Sequence, residues 1–346
     1  MPDLKPILIV GGGLAGLALG LELRQRRIPV TVVEAASYPR HRVCGEFING
    51  RGLEVLERLT LQQQLLQAGG RWAHTAAFYV QGRRPVQQRL PQPALCVSRY
   101  VLDDLLAQEF RRLGGELRLR ERWSQGYDDE GIVRATGRRV QTTVQGWRWF
   151  GLKVHARGVA LKADLEMHLG IDGYVGLCQL NGECNACGLF RTRTPLPRLA
   201  LQWQEMLRGE PGSELRARLG GAVFDDASFC SVAGLCVAPY GADEPDECAL
   251  GDTLTMIPPI TGNGMSMAFE SAELAVEPLI RYSRGERTWE EARSGIARAC
   301  RRRFRQRLRH AGRLHRALFH PIAKRLCLAV LLRFPRLLRV SFMLTR

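Results

Sequence analysis

The hydrophobic pattern changes period along the chain. Pro6-Ile-Leu-Ile-Val10 is a short apolar run rich in β-branched residues, the signature of a buried parallel strand. Leu14 to Arg24 follows as a helix, apolar on its packed face and closing with Arg24, Arg26 and Arg27. Ile28 to Val33 is a second strand that ends on Glu34. Residues 145–205 alternate with the period of strands. Trp147 to His155 and Ala163 to His168 are two such runs. Tyr174 to Leu180 and Cys184 to Phe190 flank Asn181-Gly182, a strong hairpin signal. Leu196 to Arg218 reads as helical, broken at Gly209 to Gly212. Towards the end, Ile296, Cys300, Phe304, Leu308, Ala311, Leu314 and Leu318 form one apolar stripe on a helix that Pro321 ends. Leu326 to Leu332 begins another, broken by Pro335.

The 346 residues suffice for two or three domains, or two interleaved ones, and 45% hydrophobic with 24% charged residues is a globular composition. The apolar run Leu326 to Leu332 is seven residues long, against the roughly 20 a membrane-spanning helix needs. Met1 to Val10 leads straight into glycines and reads as a first strand, not a signal peptide. Together these predict a cytoplasmic protein, and its ten cysteines are then reduced thiols. Cys184-Asn-Ala-Cys187 has only Cys178 nearby and no second pair, so no metal site is predicted.

Charge changes the picture at one end only. Residues 281–346 hold 19 of the 50 basic and 3 of the 34 acidic residues, so the whole excess of +16 lies there and the first 280 residues are neutral. Such a segment suits anionic lipid, nucleic acid or an acidic partner. The neutral body and the lack of an aromatic stacking surface in the tail argue against nucleic acid. The expectation is that residues 296–346 form basic amphipathic helices. The first packs on the body, and residues 322–346 make peripheral contact with an anionic membrane.

The candidate chemistry begins at Gly11-Gly12-Gly13-Leu14-Ala15-Gly16, a GxGxxG between the first strand and the first helix. Gly11 allows the tight turn, Gly13 lets the backbone approach a pyrophosphate, and Gly16 lets helix and strand pack closely. The helix N-terminus at Leu14 and Ala15 offers N–H groups and positive dipole to phosphates. Glu34 lies 18 residues after Gly16 and would accept from the ribose hydroxyls. An acid at that place suits an unphosphorylated ribose, hence FAD or NAD.

Four segments carry a resemblance that selects FAD. Tyr38-Pro-Arg-His-Arg-Val-Cys-Gly-Glu-Phe-Ile48 resembles the segment after the second strand in geranylgeranyl-reductase-like flavoproteins, a branch of the p-hydroxybenzoate-hydroxylase class of FAD enzymes. Ser98-Arg99-Tyr-Val-Leu-Asp103 resembles the arginine-bearing helix start beside the cofactor. Ala249-Leu-Gly-Asp252, then Pro258-Pro-Ile-Thr-Gly-Asn-Gly-Met265 and a helical Ser266 to Leu279, resemble the second FAD motif. The resemblance implies that Arg42 and Arg99 contact the cofactor. It implies that Asp252 holds the ribityl chain, and that Gly262, Gly264 and Met265 point N–H groups at the flavin pyrimidine ring. Three departures stand beside it. Ala135-Thr136-Gly137-Arg138-Arg139 occupies the place of an Asp-Gly motif. The segment after Arg99 is short, as if a hairpin were missing. Gly173 to Gln179 lacks the aromatic and Phe-Pro of isoprenoid reductases.

The fold expected is α/β plus an antiparallel sheet. A discontinuous Rossmann-type FAD-binding domain covers residues 1–70, 95–140 and 245–295. A β-rich substrate domain covers 71–94 and 141–244 and is interleaved with it. The function expected is an FAD-dependent oxidoreductase, a monooxygenase acting on a bulky lipophilic or aromatic, polyketide-like small molecule, with NAD(P)H as a transient donor. Alternatives are a flavin-dependent reductase of isoprenoid-like C=C bonds, and a degenerate FAD-binding protein at the membrane surface, which Thr136 motivates. Cys44 is the candidate catalytic residue, as a proton donor or substrate contact. His155 and Tyr174 are read as ordinary strand residues before proton donors. The chain has no GxSxG, HExxH or P-loop to support hydrolysis or phosphoryl transfer.

Overall fold

A computed structural model describes residues 4–80, 82–126, 129–138, 143, 146–194, 202–235, 247–320 and 322–324. The chain opens with β1 (Ile7–Val10), α1 (Leu14–Gln25) and β2 (Val30–Glu34). Next come β3 (Phe47–Ile48), α2 (Arg51–Arg58) and α3 (Gln62–Gln67). A long hairpin, β4 (Arg71–Val80) and β5 (Val86–Cys96), leads into α4 (Arg99–Arg112), β6 (Glu116–Leu119) and β7 (Ile132–Arg134). Then follow β8 (Arg148–Arg157), β9 (Leu165–Leu169), β10 (Gly173–Gln179), β11 (Cys184–Thr192), α5 (Trp203–Arg208), α6 (Glu214–Leu219) and β12 (Val223–Ala233). The chain closes through β13 (Cys248–Ala249), α7 (Gly264–Ser283) and α8 (Trp289–Phe319).

The strands divide into two sheets. The first is parallel, in the order β13-β7-β1-β2-β6. The second has eight strands, β12-β8-β11-β10-β9-β4-β5-β3, antiparallel except where β4 meets β9. The chain enters the first sheet three times and the second sheet between visits, so the two sheets are interleaved along the sequence. Leu14 to Leu23 of α1 are all buried, and the helix packs on α4 and α7. Gly20 permits the close approach, since a Cβ there would lie 2.8 Å from the Phe110 ring of α4. Among the described residues no strand lies between Leu119 and Ile132, where the sequence suggests a missing hairpin.

The hairpin at Asn181-Gly182 forms as its sequence predicts. Gln179 pairs with Cys184, and Gly182 takes the positive φ of 76° that the turn requires. β8, β10 and β11 each place alternate residues on the two faces of the sheet. Phe150, Leu152, Val154 and Ala156 of β8 pack in a core with α5 and α6, while Gly151, Lys153 and His155 face the loop at His41 to Glu46. Of the helical span read at 196–218, residues 195–201 lie outside the described residues, and the rest is α5 and α6 on either side of Gly209.

Helix α8 starts at a capping box formed by Thr288 and Glu291. Its predicted stripe packs inward: Ile296, Cys300, Phe304, Ala311 and Leu318 are buried. Arg307 is buried with it and bonds Glu270 of α7 at 2.6 Å, which Arg303 also reaches at 2.9 Å. The second tail helix, read from Leu326, lies outside the described residues.

Candidate functional site

The glycine-rich turn builds a cradle with one open side. Gly11 has φ of +110°, and a Cβ there would lie 2.3 Å from the Ala135 carbonyl oxygen. A Cβ at Gly16 would lie 2.0 Å from the Gly11 carbonyl. These two positions therefore need glycine for packing. Gly13 differs, because a Cβ there meets no atom within 4 Å. It N-caps α1 with no side-chain capping bond, so the first-turn N–H groups at Leu14 to Gly16 stand ready for an anion. Arg42 lies beside this opening, 3.9 Å from Glu34 and 3.7 Å from Asp103, and its buried Nε has no hydrogen-bond partner among the described residues. Open backbone, helix N-terminus and an unsatisfied guanidinium fit a pyrophosphate.

Glu34 stands at the end of β2 with its carboxylate already engaged. It accepts from the N–H groups of Gly12 (2.8 Å) and Ala36 (2.9 Å) and pairs with Arg40 at 2.8 Å. Burial favours the neutral acid, but Arg40, Ala36 and Arg42 outweigh it and hold the carboxyl below its ordinary value. Tyr38 donates to the Gly12 carbonyl across the same turn. Arg99, at the start of α4, makes a bidentate pair with Asp103 at 2.6 and 2.8 Å.

The other half of the cradle comes from β13 and α7. Thr253 Oγ1 accepts from the Gly137 N–H at 2.7 Å, which draws the Thr136 segment against the Asp252 turn. Asp252 pairs with Arg138 at 3.2 Å, and Arg138 donates to the Val43 carbonyl at 2.7 Å. Arg138 thus ties both FAD-type motifs to the loop carrying Cys44. Gly262 has φ of +65° and lies under the Phe47 ring, which a Cβ would meet at 2.3 Å. Gly264 is open, with only Ile257 at 4.0 Å, and α7 begins there with no side-chain cap.

Between this cradle and the eight-stranded sheet lies a cavity of about 170 Å³. Gly262, Gly264, Met265 and the loop Cys44 to Phe47 bound one side. Tyr174, Gly176, Cys187, Leu189 and Met167 bound the other. The wall is mostly apolar. Glu46, Asn49, Arg138, Glu166 and Thr261 also line it, and the Tyr174 hydroxyl there is buried with no hydrogen-bond partner among the described residues.

A buried charge cluster stands behind the Cys44 loop. Glu46 is fully buried and has φ of +60°. It bonds His155 Nε2 at 2.7 Å and the Arg99 N–H at 2.9 Å, and lies 3.5 Å from Lys153 Nζ. His155 Nδ1 meets Glu183 at 2.9 Å, and Lys153 Nζ meets His41 Nδ1 at 3.0 Å. Burial resists ionisation of Glu46, but the His155 bond and the Lys153 charge outweigh it and keep its carboxyl below the ordinary value. His41 is pushed down to about 4 by burial and by the charges of Lys153 and His155. Ligating atoms of His41, Glu46 and His155 lie within 4.8 Å of one another. The Lys153 ammonium sits among them and already supplies the positive charge a cation would bring.

The comparisons with known proteins agree with this cradle. Residues 5–148 match the FAD binding domain family model. Rifampicin monooxygenase of Streptomyces venezuelae is 30% identical over 118 residues, 32% of this chain and 24% of that protein. The chain therefore spans about a quarter of this curated relative. The flavin-dependent brominase Bmp2 superposes with a TM-score of 0.75 at 18% identity, over 99% of this chain and 93% of its own. The probable FAD-dependent monooxygenase PqsL from Pseudomonas aeruginosa superposes with a TM-score of 0.69 at 17% identity, over 92% of this chain and 98% of its own. The fold is that of these solved structures across nearly the whole chain, and the segment matched by the family model holds the first cradle.

The structure brings Gly11, Gly13, Leu14, Ala15, Gly16, Glu34, Arg42 and Arg99 to one end of the parallel sheet. It sets Gly262, Gly264, Met265 and Cys44 around the cavity. His155 faces Glu46 and Glu183 and does not line the cavity, as a strand residue with satisfied bonds. Sequence reasoning missed Glu46, Lys153 and Arg138 as members of the site. Lys153 carried one available signal: a lysine at a period-two position of a strand otherwise buried on both faces.

Proposed function

We propose that the protein is an FAD-dependent monooxygenase acting on a lipophilic or aromatic small molecule. The observation that supports this best is the cavity itself. It is mostly apolar, and it is bounded on one side by the residues matching the second FAD motif and on the other by the eight-stranded sheet. FAD held there would supply two-electron chemistry and oxygen activation. The chain's own residues do the rest. Arg42 and the N-terminus of α1 neutralise the pyrophosphate, and the uncapped start of α7 offers N–H groups to the flavin ring. The apolar wall excludes water. The Tyr174 hydroxyl orients a polar group of the substrate. NAD(P)H is proposed as a transient electron donor.

A second reading is a C=C reductase, favoured by Cys44, a thiol that lines the cavity. The test is anaerobic addition of NADH or NADPH, then readmission of isotopically labelled oxygen with a panel of lipophilic phenols. A product carrying one labelled oxygen supports the monooxygenase. A product that gains two hydrogens and no label supports the reductase. A flavin that neither donor reduces contradicts the proposed electron donor.

A further inference from the structure

Helix α8 has two opposed faces. The inner one is fixed by its buried stripe and by Arg307 on Glu270. On the opposite face Arg302, Arg305, Arg309, Arg313 and Arg316 follow one another at spacings of 3, 4, 4 and 3, all exposed. That is a line of guanidinium groups about 21 Å long at 1.5 Å rise per residue. None of the five has an acidic partner among the described residues. Glu270, the acid of α7 on which α8 packs, is taken by Arg303 and Arg307. No acidic residue follows Glu291 to the end of the chain.

The C-terminal end of the same helix carries an apolar tip. Among the described residues, four large hydrophobic side chains are exposed, and Ile171 (79%) and Ile322 (67%) are two of them. They belong to one place, because Lys324 donates to the Gly170 carbonyl. The one acid there, Asp172, is bonded to Arg191 at 3.1 Å. Trp147 lies between the guanidinium groups of Arg191 and Arg193, at 4.2 and 4.7 Å from its ring, and Arg191 also covers Phe319 at 5.1 Å. Isoleucines, a tryptophan and arginines grouped at one end of an arginine-lined helix are the composition of an interfacial contact. Beneath the tip, Phe319 packs on Tyr174, which lines the cavity.

We infer that the outer face of α8 and the Ile171–Ile322 tip dock the protein on an anionic phospholipid bilayer. The arginine row meets the headgroups, and the two isoleucines enter the acyl boundary. The cavity end at Tyr174 then faces the phase in which lipophilic molecules concentrate. The docking itself is independent of any flavin chemistry, so its test stands or falls apart from the proposed function.

The experiment is co-sedimentation of the full chain with phosphatidylcholine vesicles with and without phosphatidylglycerol. Three proteins are compared: native, R302E/R305E/R309E and I171D/I322D. All five positions are exposed, so circular dichroism should match native. The expected result is salt-sensitive binding to the anionic vesicles alone. At about fivefold per basic residue near an anionic surface, losing three predicts binding at least about 100-fold weaker. The isoleucine variant is expected to lose at least about tenfold. Equal binding to neutral vesicles, no binding at all, or arginine-variant binding within about threefold of native would overturn the inference. So would duplex DNA displacing the protein from the vesicles, which would assign the row to nucleic acid.

Discussion

Lys153→Met probes the buried cluster that holds the Cys44 loop against the sheet. Lys153 and Glu46 have no exposed surface, and the ammonium lies 3.5 Å from the carboxylate and 3.0 Å from His41. Removing one member of a buried ion pair costs about 3–5 kcal/mol, because the other is left uncompensated. Glu46 keeps His155 at 2.7 Å and the Arg99 N–H at 2.9 Å, which places the cost near the low end, about 3 kcal/mol. In a protein of this size that lowers Tm by about 5 °C. The assay is thermal unfolding of native, K153M, E46Q and the double variant. The double variant should cost less than the sum, by at least about 1 kcal/mol, because each single change leaves its partner stranded. His41 supplies a second readout. The Lys153 charge is one cause of its lowered value, so NMR titration should show His41 moving up in K153M. A K153M protein within about 1 kcal/mol of native, or strictly additive singles, would refute the cluster as a coupled unit.

Other outcomes follow from the same geometry. Gly13→Ala should leave Tm unchanged, because its Cβ meets nothing, yet weaken FAD binding measured by flavin fluorescence quenching; Gly16→Ala should lower Tm, because its Cβ overlaps the Gly11 carbonyl. Tyr174→Phe should be neutral or slightly stabilising, since the hydroxyl is buried without a partner, while raising KM for a polar aromatic substrate more than it lowers kcat. His315 is pushed down to about 4 by burial and by the Arg191 charge. It stays neutral in the fold while an unfolded histidine takes up a proton near pH 6.5, so stability falls as pH drops from about 6.5 towards 4. His315→Phe should flatten that part of the pH–stability curve in urea unfolding.

The parallel half of the fold was legible because its signals are local. A β-branched run, glycines at fixed spacing, an apolar helix and a terminal acid lie within 34 residues. The Asn181-Gly182 hairpin and the α8 stripe were legible for the same reason. What stayed hidden depends on pairings far apart in sequence. Glu46 meets His155 across 109 positions, and Arg138 meets Asp252 across 114. No spacing rule relates such residues. The roles of Gly13 and Gly262 also separate only in three dimensions. Gly13 opens to free space, whereas Gly262 is a glycine because Phe47 lies on it. The strand β12 escaped notice because its residues are mostly half-buried or exposed and alternate weakly.

The Gly13 opening, Arg42 and the start of α7 together fit an FAD held against a mostly apolar cavity. The most direct measurement is an absorbance spectrum of the purified native protein, with the released cofactor identified and counted. Flavin bands and one FAD per chain, retained or taken up on incubation, are the expected result. A folded protein that carries no flavin and takes up none would contradict it.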